Sequence, residues 1–439
     1  MEKTLIRQNA QWNGKMFDHL CPRDIMDNLL KKKTMRHVQI LTGVRRCGKS
    51  TVFKLLINDL LQSGVSGKSI LVLNLDDPQF IPFWDDSSKL FSVIENAERL
   101  TGEKVKYLFL DEVQHLCDWE IFIKSAYDTE IFEKIYITGS NSQLLQNRFS
   151  ALLSGRYFEN EVRPFSVREV FRSQGITTLL DCYTQTPKVL RIMDNVLSTG
   201  CFPEIVLGDA DEDIKQELLK SYFESIVQKD CIVYSGIRDT HLFFRLVSYL
   251  MQNMGSRFSI PAVGKALKSN ENTVASYLNF LCDSYICVDV RNFSYSLKET
   301  SRSQHKCYFI DNGLVSANVF RYSPQSGSAL ENLVYNELRN KGYMNISFDN
   351  SKTECDFLAY KNGKAYGFQV CYELNDMNLK RELYGFEQEN VMLEKKILLT
   401  YNQKETYGDI EVVPFWEWVM SPPFTLSLIH ISEPTRHAQ

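Results

Sequence analysis

From about residue 37 to residue 162 the chain alternates continuously apolar runs with segments whose apolar positions recur every three to four residues. The apolar runs are 38–41, 70–75, 105–110 and 135–138; the helical period occupies 52–61, 90–100 and 119–127. A short apolar run predicts a strand buried on both faces, and the longer period predicts an amphipathic helix. Buried strands separated by helices specify a parallel sheet covered on both sides. Residues 156–162 predict one more strand and 166–174 another helix.

The pattern then changes. Residues 211–228 and 240–253 read as helices, followed by 259–267, a turn at Ser269-Asn270 and a helix over 273–281. Two strand-like runs, 286–295 and 307–310, flank a polar stretch. Helix, helix, turn, helix and a two-stranded wing is the order of a winged helix-turn-helix. Pro324-Gln325-Ser326-Gly327 reads as a linker. Beyond it lie a helix over 330–341, a strand over 346–348, a hairpin of 356–360 and 365–372 about Asn362-Gly363, a helix over 379–386 and a strand over 396–400. The expected fold class is α/β. The expected units are a lead-in (1–35), a parallel-sheet domain (36–210), a helical and winged-helix domain (211–322) and a small α/β domain (325–420). The tail, 421–439, contains Ser427 to His437, which resembles translated sequencing-adapter read-through and is set aside.

Composition narrows the partners. A net charge of −4 carries no global nucleic-acid signature, so any nucleic-acid contact must come from a local patch. Eleven cysteines without a CxxC pair argue against a disulfide framework or a zinc site and fit reduced thiols in the cytoplasm. The sequence holds no apolar run long enough to span a bilayer and opens without a signal-peptide pattern, so no membrane partner is expected.

Chemistry concentrates at the first strand–helix junction, Gly43-Val44-Arg45-Arg46-Cys47-Gly48-Lys49-Ser50-Thr51. The spacing is that of the P-loop, whose glycines let successive N–H groups turn onto phosphate oxygens at a helix N-terminus. Lys49 would reach the β- and γ-phosphates and Ser50 would ligate Mg²⁺. The third apolar run ends in Asp111-Glu112. Asp111 would hold Mg²⁺ through its water shell, and Glu112 would orient and deprotonate the attacking water. Ser140 and Asn141, after the fourth run, are alternative contacts to that water or the γ-phosphate. Arg156 is the candidate for stabilising γ-phosphate charge, in cis or across a subunit boundary, with Arg148 and Arg163 as competitors.

Read in order, GVRRCGKST, YLFLDEVQ, ITGSNS, LSGRYFENEVRPFSVREV, GCFPEIV and YFIDNGL resemble the bacterial and archaeal AAA-type ATPases with a winged-helix middle and a nuclease-like C-terminal domain. The resemblance covers roughly residues 5–400 and implies an AAA+ core that uses ATP and Mg²⁺. The C-terminal pattern resembles the PD-(D/E)xK nuclease core. That chemistry needs two carboxylates on Mg²⁺ and a lysine near the attacking water. Glu331 and Asp356 match the first acids. Gln369 and Cys371 stand where an acid and the lysine are required, so a binding or docking fold without cleavage is expected. Arg291, Lys298, Arg302, His305 and Lys306 form a basic wing beside Phe293 and Tyr295. Three outputs follow: an ATPase acting on DNA through the winged helix, a signalling ATPase docking a protein through the C-terminal domain, and an ATP-regulated nuclease. Oligomers are compatible with each.

Overall fold

The computed structural model describes residues 1–140, 152–294, 304–319, 326–350, 353–387 and 391–421. Its first sheet contains β1 (Val38–Thr42), β2 (Ile70–Asn74), β3 (Tyr107–Asp111), β4 (Lys134–Thr138) and β5 (Tyr157–Glu161). The order is β2-β3-β4-β1-β5, and every pairing is parallel. Side chains alternate between faces, as strand geometry requires. Leu108, Leu110, Ile135 and Ile137 enter one apolar cluster; Phe109 and Tyr136 enter the other, beneath Phe53 of the Lys49–Gln62 helix. Phe109 stacks on Tyr136 with centroids 4.5 Å apart. Because β4 lies between β1 and β3, the loops leaving all three strands converge at one edge of the sheet, where α/β folds place ligands.

After β5 come the helices Val167–Ser173, Leu179–Thr184, Thr186–Thr199 and Pro203–Leu207. The helix Glu212–Ile226 continues into a π-helical turn, Val227–Val233. The helices Thr240–Gln252, Ile260–Leu267 and Glu271–Asp283 pack with a three-stranded antiparallel sheet of order β6-β8-β7. Its strands are β6 (Arg257–Phe258), β7 (Cys287–Arg291) and β8 (His305–Phe309).

A mixed six-stranded sheet completes the chain. It comprises β9 (Met344–Asp349), β10 (Cys355–Lys361), β11 (Lys364–Cys371), β12 (Leu393–Thr400), β13 (Glu405–Tyr407) and β14 (Ile410–Pro414), ordered β13-β14-β12-β11-β10-β9. The β10–β11 hairpin turns at Asn362 and Gly363, both in left-handed conformation. Ser326 and Gly327 are not linker: they open the helix Ser326–Asn340, while Pro324 and Gln325 lie outside the described residues. The strands β13 and β14 and the helix Phe415–Met420 carry no expectation from the sequence pattern.

Candidate functional site

The loop after β1 adopts a conformation that its residue types dictate. Gly43 (φ +136°) and Gly48 (φ +101°) occupy backbone regions that L side chains rarely adopt. A Cβ on Gly43 would lie 2.0 Å from the carbonyl oxygen of Val162, so the β5 end excludes any side chain there. Val44 and Cys47 anchor the loop in the core, and the Lys49–Gln62 helix starts directly behind Gly48. Ser50 and Thr51 lie in its first turn.

Lys49 is 5% exposed. Its Nζ donates to the carbonyls of Gly43 (2.9 Å) and Val44 (3.2 Å) and stands 4.0 Å from Glu112 Oε1. Ser50 Oγ donates to Asp111 Oδ2 at 2.6 Å, and Thr138 Oγ1 donates to Asp111 Oδ1 at 2.5 Å. Burial pushes the Asp111 carboxyl up, with those two hydroxyls opposing. Glu112 has a left-handed backbone (φ +58°), a strained conformation that recurs at functional sites. Burial raises its pKa, but Lys49, Gln114 and Arg45 together outweigh burial and hold it below the usual carboxylate value.

The structure therefore brings Lys49, Ser50, Asp111 and Glu112 together. Ser140, 1% exposed, joins them: its Oγ accepts from Gln114 Nε2 at 3.4 Å, and Gln114 also donates to Glu112. Asn141 and Arg148 lie outside the described residues. For Arg156 the structure bears on one of the two readings, action in cis. Its carbonyl accepts the Val38 N–H, at the opening of β1, and its guanidinium meets Asp128 at 3.4 Å. It thus sits at the sheet edge opposite the phosphate loop, about 16 Å away along five residues of strand, which rules out action in cis. Arg163 is on the correct edge but is tied to Glu161 at 2.8 Å.

Arg23, Asp230 and Glu204 carry no sequence expectation as residues of this site. Arg23, in the supposed lead-in, is buried; it donates to the carbonyls of Cys47 and Arg163 and pairs with Glu169 at 3.0 Å. Arg45 Nε meets Asp230 Oδ2 at 2.7 Å, and Arg46 meets Glu204 at 3.0 Å. No spacing rule connects those acids to the loop.

Among the described residues no group of three or more His, Cys, Asp and Glu side chains is arranged to hold a metal. The Ser50 hydroxyl and Asp111 carboxylate form a smaller, all-oxygen donor set. That set suits Mg²⁺, which keeps most of its ligands as water and phosphate oxygens.

A second charged cluster borders a cavity of about 860 Å³. Lys306 Nζ, on a side chain 2% exposed, lies 2.9 Å from Glu331, 3.0 Å from Glu354 and 3.3 Å from Asp356. Gln369 Oε1 accepts the Asp356 N–H at 2.6 Å, and its Nε2 donates to Glu382 at 3.3 Å. Glu331, Asp356 and Gln369 thus meet, but a cation from β8 already holds the two acids. Lys306 and His305 are accordingly not wing cations: His305 is buried against Asp289 at 2.7 Å. Lys298, Arg302 and Tyr295 lie outside the described residues.

The five-stranded parallel sheet with its glycine loop defines the P-loop NTPase class, and residues 35–171 match the model of an AAA domain. Residues 190–324 match a domain of unknown function (DUF8612). The uncharacterized protein MJ1544 of Methanocaldococcus jannaschii is 31% identical over 425 residues, covering 91% of each chain, and this chain belongs to its family. An uncharacterized protein of Haemophilus influenzae is 28% identical over 404 residues, covering 90% of this chain and 97% of that one. The Aeropyrum pernix ORC1 protein, solved in complex with DNA, aligns over 67% of this chain and 90% of that one at 12% identity and a TM-score of 0.32, too loose a likeness to carry an argument. No helix among the described residues is long and apolar enough to cross a membrane.

Proposed function

We propose that the chain is a Mg²⁺-dependent ATPase whose output is a conformational signal to a partner. The observation that carries this reading is the convergence of Lys49, Ser50, Asp111 and Glu112 at one sheet edge, with Ser50 Oγ 2.6 Å from Asp111. The loop N–H groups and Lys49 bind the phosphates; Ser50 and Asp111 hold Mg²⁺, which neutralises phosphate charge when bound. Glu112, kept ionised by Lys49 and Arg45, accepts the proton of the attacking water, and Ser140 with Gln114 orients that carboxylate.

Residues 36–210 are proposed as the ATPase domain, 211–322 as a winged-helix unit and 325–420 as a nuclease-like fold that does not cleave. Gln369 and Cys371, standing where cleavage chemistry needs an acid and a lysine, support the last assignment. The helix Glu271–Asp283, which follows the Ser269-Asn270 turn, contains no lysine or arginine. That favours a protein partner over DNA, since DNA affinity rests on phosphate neutralisation. Among the described residues, the alternative DNA output retains exposed Lys265 and Lys268 beside that helix and Arg291 on the wing.

The test is ATP binding and turnover of the full chain. Glu112→Gln should keep ATP bound while lowering turnover about 10²–10⁴-fold. Lys49→Ala should weaken ATP binding about 10–100-fold by removing a charged hydrogen-bond donor. Normal turnover in both variants would overturn the assignment. Duplex DNA that raises turnover in a salt-dependent manner would restore the DNA output.

A further inference from the structure

Asp230 is a buried carboxylate that the proposed chemistry leaves unused, and it lies against the phosphate loop. It belongs to the helix that starts at Glu212, at the point where α-helical geometry gives way to the π turn Val227–Val233. A π turn accommodates an extra residue within a helix and recurs at functional sites. Here it brings Asp230, 4% exposed, to the converging edge of the five-stranded sheet. Oδ2 accepts Arg45 Nε at 2.7 Å, and Oδ1 accepts the Ser140 hydroxyl at 3.3 Å. Ser140 accepts from Gln114, which also donates to Glu112. A continuous chain of polar contacts therefore runs from the phosphate loop, through Asp230, to the carboxylate assigned to the attacking water.

Arg45 and Lys49 are cations that face Glu112 and Asp230, and Asp111 and Asp76 bear on the same cations. A triphosphate brings further negative charge to the same two cations. In a low-dielectric setting, phosphate and Asp230 must compete for Arg45. The Arg45 side chain is 20% exposed and its partner 6%, so solvent screens this competition only weakly.

Resting on the reading of this edge as a nucleotide site, we propose that Asp230 is a positioning residue that reports nucleotide occupancy. It holds Arg45 while the phosphate loop is free and gives up Arg45 to the phosphates when ATP binds. The π turn that carries Asp230 then moves, and the helix from Glu212 transmits the change. Coupling of this kind is reciprocal. Any partner that draws the 212–233 helix away from the loop must tighten ATP binding by the same factor by which ATP loosens the helix.

The experiment uses the full chain and a fluorescent ATP analogue (mant-ATP). Asp230→Asn is nearly isosteric and removes the competing charge, so it should lower the Kd at least about fivefold, the low end of allosteric coupling. In an Arg45→Met background the same substitution should change the Kd by less than about twofold. A residue that only stabilised the fold would give weaker or unchanged binding in both backgrounds. Wild-type hydrogen exchange supplies a measurement independent of any variant's folding. With Mg²⁺ and ATPγS, exchange should rise in peptides spanning 227–233 while the phosphate loop becomes protected. If the loop is protected, 227–233 is silent and Asp230→Asn does not tighten binding, the inference on Asp230 falls and the nucleotide site stands. If wild-type protein binds no mant-ATP, both fall.

Discussion

Lys306 has 2% of its side chain exposed, and Glu331, Glu354 and Asp356 make that burial tolerable. Removing one partner from a buried charge cluster leaves the others uncompensated, at a cost of about 3–5 kcal/mol. Lys306→Met should therefore lower the free energy of urea unfolding by about that amount at pH 8. Without the ammonium the carboxylates hold protons more tightly, so the deficit should shrink as pH falls to 5. An equal deficit at both pH values would show that packing, not charge, is what the lysine contributes. The sequence hides this residue for a physical reason. The hairpin lacks lysine at Cys371, and the ammonium arrives instead from β8 in a different sheet, a placement that no local spacing encodes. Asp230 is hidden in the same way: its helix reads as an ordinary amphipathic segment, and only the π turn sets its carboxylate against Arg45. By contrast, Lys49, Ser50, Asp111 and Glu112 are legible because their geometry follows from strand–loop–helix order alone.

The short helix Val167–Ser173 shows what an element can organise. Ser166 and Glu169 form a reciprocal capping box, with the Ser166 N–H donating to Glu169 Oε2 at 2.8 Å and the Glu169 N–H donating to Ser166 Oγ at 3.1 Å. The other Glu169 oxygen accepts Arg23 Nε at 3.0 Å and the Asp24 N–H at 2.7 Å. Arg23 in turn caps the Cys47 carbonyl, so the cap of one helix fixes the phosphate loop of another. Arg23→Ala should destabilise the fold by about 3–5 kcal/mol, because Glu169 would stay buried without its cation. It should also weaken ATP binding. Unchanged ATP affinity in a destabilised Arg23→Ala protein would confine the role of Arg23 to stability. At this scale the five parallel strands and their helices were readable from the sequence, because burial on both faces writes continuous apolar runs. The helices over 179–207 and the strands β13 and β14 were not. The β13 sequence, Glu405-Thr406-Tyr407, is largely solvent-facing at the sheet edge and has no apolar alternation to read.

Across the whole molecule, apolar packing ignores the boundaries that composition suggests near residues 210 and 322. One cluster joins Phe53 and Phe109 to Leu246, Leu278 and Leu314; another joins Val170 and Val189 to Leu333, Phe368 and Trp418. Shared cores of this kind couple the regions' unfolding, and buried carboxylates sit on the seams. Asp311 accepts the N–H groups of Cys201 and Gly313, and Glu337 accepts the Val167 N–H at 2.9 Å. Burial pushes the Asp311 carboxyl up to about 7, with its backbone donors opposing; burial likewise raises Glu337. In the unfolded chain these groups titrate near the ordinary carboxylate value, so between roughly pH 4 and 7 the folded state retains protons that the unfolded state releases. Their contribution is fully present below the unfolded pKa and is lost as pH rises through about 7, at roughly 1.4 kcal/mol for each unit of pKa difference. Carboxylates held low by cations, such as Glu161 beside Arg163 and Arg339, act oppositely and only toward lower pH. Melting temperature should therefore fall as pH is raised from 5 to 7.5. Asp311→Asn should lower the whole curve, since an amide oxygen cannot replace both acceptors, and should also flatten its slope. A slope unchanged in that variant would mean that Asp311 is ionised in the folded protein and that the seam is held by charge–dipole contacts instead.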